Sequence, residues 1–242
     1  CATVIHRYWI GVHGRRGPAF PEAPGVRKPL KREAEVVAFA LADGAVGLTV
    51  EEASYLIGST YAAMLPTEFR SDNGVYYTPP ALVRRLLDAA TTAGVDWSKC
   101  RVLDPACGGG AFLGPVAARM VGAMKNCDRR VVVRNVAQRL RGLEIDQFAA
   151  WMSQVFLQIT LHDLIGGNGD IGSLITVGDA LSSDDRADFD LVIGNPPYGR
   201  VSLGREQRER YRRSLFGHAN LYGMFLDFAV RKTVTDGLVA YV

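Results

Sequence analysis

The run Asp190-Leu191-Val192-Ile193-Gly194-Asn195-Pro196-Pro197-Tyr198-Gly199 ends an apolar, strand-like stretch in two consecutive prolines. Proline has no N–H and fixes φ, so a turn built on Pro196 and Pro197 is stiff and presents carbonyl oxygens instead of donors. The amide oxygen of Asn195 and the carbonyl of Pro196 can then both accept hydrogen bonds from one NH2 group, and Tyr198 offers a planar face on which a base can stack. This equipment suits attack by a poorly nucleophilic exocyclic amine. Two acceptors draw the nitrogen toward tetrahedral geometry and localise its lone pair toward an electrophilic methyl group, with no strong base or covalent nucleophile required. The plainer alternative is a strand-ending turn with a surface tyrosine.

A second constellation precedes it. Asp104-Pro105-Ala106-Cys107-Gly108-Gly109-Gly110-Ala111-Phe112-Leu113 follows one apolar run and opens a helical one. Glycines there let the backbone turn sharply and approach a ligand, with helix-terminal N–H groups facing it. The lysine of a GxxxxGK loop is missing, which argues against a nucleoside triphosphate. The next strand candidate ends in Gly142-Leu143-Glu144-Ile145-Asp146, and a third in Val177-Gly178-Asp179-Ala180. A carboxylate at the first place can accept both hydroxyls of a ribose, and one at the second can read an amino group on an adenine edge. Singly, each acid is an ordinary loop residue. Together they describe a nucleoside-shaped pocket without a diphosphate grip.

The elements that must position these residues follow from periodicity. Strands are predicted at Arg101 to Asp104, Leu140 to Ile145, Leu174 to Val177, Phe189 to Ile193 and Leu238 to Val242, with helices over Phe112 to Met124, Gln147 to Leu161, Arg205 to Leu215 and Leu221 to Val234. Strands separated by helices imply an open, doubly wound parallel sheet whose ligands bind at the strands' carboxyl ends. Upstream, the glycines and prolines of residues 1–29 predict an irregular arm. A helix is expected from Leu30 to Leu41, and another after the capping box of Thr49 and Glu52, stopped by Pro66. The turn-rich Ser71-Asp72-Asn73-Gly74 marks the boundary between an N-terminal arm and helical region, 1–70, and a main domain, 71–242.

Composition narrows the class. The 242 residues are 48% hydrophobic, 9% aromatic and 22% charged, which excludes a disordered, fibrous or short disulfide-stapled chain. Cys1, Cys100, Cys107 and Cys127 form no CxxC pair and no Cys/His cluster, so no metal site is expected, and they fit a reducing compartment. No apolar run approaches the roughly 20 residues of a membrane span, and no secretory signal opens the chain, so a cytoplasmic, non-membrane protein is expected. The start at Cys1 and the stop at Val242, inside a strand candidate, suggest a processed chain or a fragment. The formal net charge of +3 names no partner by itself. Two clusters are more pointed: Arg7, Arg15, Arg16, Arg27, Lys28, Lys31 and Arg32 against Glu22 and Glu33, and Arg200, Arg205, Arg208, Arg210, Arg212 and Arg213 against Glu206 and Glu209. The second, just after the proline turn, is placed to neutralise phosphates, or is an exposed helix face.

In this order the motifs resemble those of the gamma-class, TaqI-like, amino DNA methyltransferases. Tyr77-Thr78-Pro79-Pro80 looks like that family's first motif, which flanks the methionine end of S-adenosylmethionine. Asp104 to Leu113 is similar to its DPACGSGxFL loop, with Gly109 where serine is usual. The resemblance implies cofactor contacts from Asp104, Ala106, Cys107, Gly108, Gly110 and Phe112. Glu144 matches the ribose-binding acid, Ile145 the apolar residue on one face of the cofactor adenine, and Asp179 with Ala180 the segment that bonds its edge. Asn195 to Tyr198 matches the catalytic tetrapeptide, whose NPPY form implies adenine as target. Asn220-Leu221-Tyr222-Gly223-Met224-Phe225-Leu226 resembles the following helix, Phe225 covering the other adenine face.

The resemblance implies an α/β, Rossmann-like S-adenosylmethionine-dependent fold, double-stranded DNA with an adenine flipped out, and a specificity domain or subunit with a cognate nuclease in restriction-modification. In this family the sheet continues beyond the strand at Leu238 to Val242 and a target-recognition domain usually follows, so the C-terminal part of the fold is expected to be missing. Two alternatives stay open: methylation of an RNA adenine or a protein glutamine, and a non-catalytic module that binds cofactor or DNA within a larger complex.

Overall fold

Among the described residues, five strands form a parallel sheet in the order β3-β2-β1-β4-β5. They are β1 (Val102–Asp104), β2 (Leu140–Glu144), β3 (Ile175–Val177), β4 (Phe189–Gly194) and β5 (Thr233–Tyr241). The computed structural model describes residues 1–14, 18–25, 29–68, 70, 77–165, 171–182, 186, 188–215 and 219–242, with the backbone alone over 163–165. The chain works outward from β1 through β2 to β3, then returns to pair β4 with the other side of β1. Val102 thus stands opposite both Leu140 and Leu191. The reversal of strand order opens a crevice between the ends of β1 and β4, the place where open α/β sheets bind ligands.

The helices are α1 (Ala2–His13), α2 (Arg32–Val46), α3 (Val50–Met64), α4 (Pro80–Thr92), α5 (Leu113–Ala123), α6 (Arg129–Arg139), α7 (Gln147–Ile165), α8 (Arg205–Arg210) and α9 (Leu221–Lys232), with a 3-10 turn at Ala180–Ser182. The capping box is present: Thr49 Oγ1 accepts from the Glu52 N–H at 3.3 Å, and Glu52 Oε2 accepts from the Thr49 N–H at 3.0 Å.

Several expectations need correction. Residues 2–13 are helical, not an irregular arm: the prolines begin at Pro18, and before them Val4, Ile5, Tyr8 and Trp9 make a buried stripe at helical spacing. Helix α4 was not anticipated, although Pro80 sits at its start and Val83, Leu87 and Ala90 share its buried face. Nor was α6, of which only Val132 and Val136 are buried. Helix α8 stops at Arg210, short of Leu215, and α9 gives way at Lys232 to a longer β5, irregularly paired near Asp190 and carrying Asp236 at φ 65°. Ser71 to Gly74 lies outside the described residues.

Helix α7 joins two cores. Ala150, Leu157 and Leu161 pack with α4, α5, α6 and the sheet. Met152, Val155, Phe156 and Ile159 pack with α1, α2 and α3. A helix apolar on all sides belongs between layers. On the sheet's other face, Met224, Phe225, Phe228 and Ala229 of α9 cover Leu103 and Val192. Among the described residues, no helix is long and apolar enough to cross a membrane.

Candidate active site

A cavity of about 370 Å³ lies at the carboxyl ends of the strands, within the roughly 300–1,000 Å³ range of small-molecule sites. Its wall includes Tyr77, Thr78, the loop after β1, Glu144, Ile145, Asp179, Ala180, Asn195, Pro197 and Phe225. Four predicted residues are not on that wall: Pro79, Gly110, Pro196 and Tyr198. Pro79 caps α4. Gly110 has φ 88°, and a Cβ there would stand 2.7 Å from Ser153 Oγ, so this glycine lets the loop lie against α7.

The loop after β1 is tightly self-bonded. Asp104 Oδ1 accepts the Ala106 N–H at 3.2 Å, the Cys107 N–H donates to the Leu143 carbonyl at 2.9 Å, and the Gly110 N–H donates to the Cys107 carbonyl at 2.8 Å. Burial pushes the Asp104 carboxyl up to about 8 and raises the Cys107 thiol well above its ordinary value. A side chain at Gly194 would put its Cβ 2.7 Å from Asp104 Oδ1, so the end of β4 must be glycine for the two strands to close on this acid.

Glu144 ties the loop to β2. Its Oε2 accepts the Gly108 N–H at 2.7 Å and its Oε1 the Asp146 N–H at 2.9 Å. Burial raises its pKa, and the two N–H bonds oppose that rise. The carboxylate retains acceptor capacity beyond these two bonds. Asp179 holds the 3-10 turn, accepting the Leu181 N–H at 2.9 Å and the Ser182 hydroxyl at 2.7 Å. Ile145 is 61% exposed in the cavity wall, while Phe225 is buried in it. Paired carboxylate oxygens, a second acid and two apolar surfaces suit a ribose, an amino-bearing base and that base's faces.

Across the crevice, Asn195 Nδ2 donates to the hydroxyl of buried Thr78 at 3.2 Å. That bond turns Asn195 Oδ1 the other way, where it is buried with no partner among the described residues. A buried acceptor is normally satisfied, so an unpartnered one on a residue that lines a ligand-sized cavity is a candidate acceptor for an incoming donor. The ring of Tyr198 stacks on Tyr222 at 5.2 Å and 15°, and its hydroxyl donates to the Val242 carbonyl at 2.6 Å. Tyr198 is 42% exposed. Tyr241 meets Tyr222 edge-on at 6.3 Å.

The wall also contains Asp146, Leu181, Val201, Ser202, Leu203 and Gln207, which sequence reasoning missed. Asp146 was findable, because it follows Glu144 and caps α7 through the Phe148 N–H at 2.8 Å. Gln207 carried no signal. It sits on α8 among exposed Arg205, Arg208 and Arg210, which puts that basic helix at the cavity.

Residues 54–242 match the family model described as N-6 DNA Methylase. The Type II methyltransferase M.TthHB8I of Thermus thermophilus is 29% identical over 188 residues, 73% of this chain and 36% of that protein. The chain spans about a third of the length of the curated relatives it matches. In the solved DrdV–DNA complex, 89% of this chain superposes on 25% of that one with a TM-score of 0.63 at 16% identity. A putative class I S-adenosylmethionine-dependent methyltransferase from Listeria monocytogenes superposes over 88% of this chain and 60% of its own, with a TM-score of 0.52 at 15% identity. The fold is that of these Rossmann-like methyltransferases. The matched stretch contains the glycine loop, both strand-end acids and the proline turn, and by that match this chain belongs to the N-6 DNA methylase family.

Proposed function

We propose that the protein transfers a methyl group from S-adenosylmethionine to the N6 amino group of adenine in double-stranded DNA, as the modification activity of a restriction-modification system. The unpartnered acceptor Asn195 Oδ1, on a side chain that Thr78 holds in the wall of a ligand-sized cavity, carries this reading. In it, residues 71–242 are the catalytic domain and 1–70 an N-terminal helical region. A specificity domain or subunit and a cognate nuclease are the partners outside this chain. A DNA substrate with no membrane involvement puts the work in the cytoplasm.

The roles follow the chemistry. Bound S-adenosylmethionine supplies an electrophilic methyl group on a sulfonium. Glu144 accepts the ribose hydroxyls, Asp179 with Ala180 bonds the adenine edge, and Ile145 and Phe225 cover the adenine faces. Asp104, Ala106, Cys107, Gly108 and Phe112 shape the floor, with Gly110 seating that loop on α7, while Tyr77 and Thr78 flank the amino-acid end and Pro79 caps the helix behind them. Asn195 Oδ1 and the Pro196 carbonyl accept the target amine's two N–H bonds, Pro197 stiffens the turn, and Tyr198 stacks the extruded base on the face that Tyr222 leaves free. Arginines of α8 neutralise phosphates beside it.

Calorimetry with S-adenosylmethionine, followed by transfer assays on DNA, RNA and protein, tests the reading. The wild-type chain, assayed with its partner subunits, is expected to bind the cofactor and methylate adenine in DNA. Asn195→Ala should lose transfer by about 10²–10³-fold, as when one preorganised transition-state hydrogen bond is removed, with cofactor affinity nearly intact. Unchanged turnover in that variant overturns the assignment. Cofactor binding without transfer to any substrate favours a non-catalytic module.

A further inference from the structure

The phenol ring of Tyr77 is trapped between two glycines. A Cβ at Gly58, on α3, would overlap Cε1 and Cδ1 of that ring. A Cβ at Gly109, in the loop after β1, would stand 2.6 Å from Tyr77 Cε1 and 2.8 Å from Met152 Cε. The ring therefore cannot yield to either side chain by swinging toward the other. This also gives the glycine at 109 a reason: the space that a serine would occupy is filled by Tyr77.

Two more contacts join the same helix to the same pocket. The Tyr61 hydroxyl donates to Asp146 Oδ2, and the Asp146 N–H donates in turn to Glu144 Oε1 at 2.9 Å. The buried Ser54 hydroxyl donates to the Gly109 carbonyl at 3.5 Å. Ser54, Gly58 and Tyr61 are four and three residues apart, so they share one face of α3.

We propose that this face of α3 is a working wall of the cofactor pocket, pinning Tyr77 against the glycine loop and fixing Asp146 and Glu144, so that the N-terminal helices set cofactor affinity. The proposal rests on the cavity being an S-adenosylmethionine site. Gly58, Ser54 and Tyr61 are positioning residues in it.

Calorimetric titration of the full chain with S-adenosylmethionine, paired with hydrogen–deuterium exchange over residues 104–112, tests it. Gly58→Ala is expected to weaken binding by about 10-fold or more, and Tyr61→Phe, which deletes one hydroxyl at constant shape, by about 3- to 10-fold. Exchange in the loop should quicken in both. Gly44→Ala, on α2 with open space around its Cβ, is expected to change neither. If Gly58→Ala does not fold, Tyr61→Phe carries the test alone. Wild-type affinity and wild-type exchange in a folded variant overturn the proposal. A wild-type chain that binds no S-adenosylmethionine refutes the cofactor reading instead, and unaltered loop exchange in the variants then still decides against α3 as a wall.

Discussion

The loop after β1 and the turn after β4 stand on adjacent strands yet treat their polar groups in opposite ways. In the loop, the N–H groups of Ala106, Cys107, Gly108 and Gly110 all have partners within the chain. In the turn, two prolines delete the donors and Asn195 Oδ1 is buried without a partner among the described residues. A surface that already satisfies itself binds through the lone pairs it has left over, and changes little when occupied. An acceptor held open by a neighbour is stabilised only when a donor arrives. The contrast separates holding a ligand from acting on one, and it can be broken at either strand end.

The largest break is at the turn, where Asn195→Ala should lose transfer and keep cofactor affinity, as set out above. Next comes the loop. Glu144→Ala removes the proposed acceptor for ribose hydroxyls and should weaken S-adenosylmethionine binding by about 1 to 3 kcal/mol. A calorimetric dissociation constant equal to wild type would place the ribose elsewhere. Thr78→Val sharpens the contrast, because it frees the Asn195 amide to rotate without touching the acceptor itself. Its expected cost is about 5- to 10-fold in kcat, with Thr78→Ser restoring turnover. A loss in Thr78→Ser as deep as in Thr78→Val would refute the hydroxyl's part.

A separate test reads stability, not turnover, as a slope with pH. Asp104 ordinarily titrates at 3.8, and burial pushes it up to about 8 in the fold. The native state therefore holds a proton that the unfolded chain has released, so stability should fall as pH rises from about 4 to about 8 and level off above. Glu144, also raised by burial, adds a slope of the same sign. Urea unfolding at a series of pH values should show the fall in wild type and a flatter curve for Asp104→Asn. A wild-type curve that climbs over this range contradicts the burial argument.

Much of the sheet was legible because parallel strands covered on both faces are written as continuous apolar runs. Leu191 to Ile193 is such a run, whereas Leu140 to Ile145 is interrupted by Arg141 and Glu144. Helix α6 was not legible, since Arg129, Arg130, Arg134 and Arg139 hide a buried face of two valines. Helix α1 was obscured when the prolines that follow it were weighed together with its own apolar stripe. At the site, strand-end acids and the proline turn are local patterns and could be read directly. The bond from Asn195 to Thr78 spans 117 positions, and the Tyr77 ring between Gly58 and Gly109 joins three segments, so neither leaves a mark in any short window of sequence.

Helix α7 has a thermodynamic consequence. Its opposite flanks belong to different cores, so melting either core strips one side of the same rod and exposes its apolar residues to water. The N-terminal helices and the sheet are thereby made to unfold as one cooperative body, and a cavity cut at Met152 would lower the transition of both.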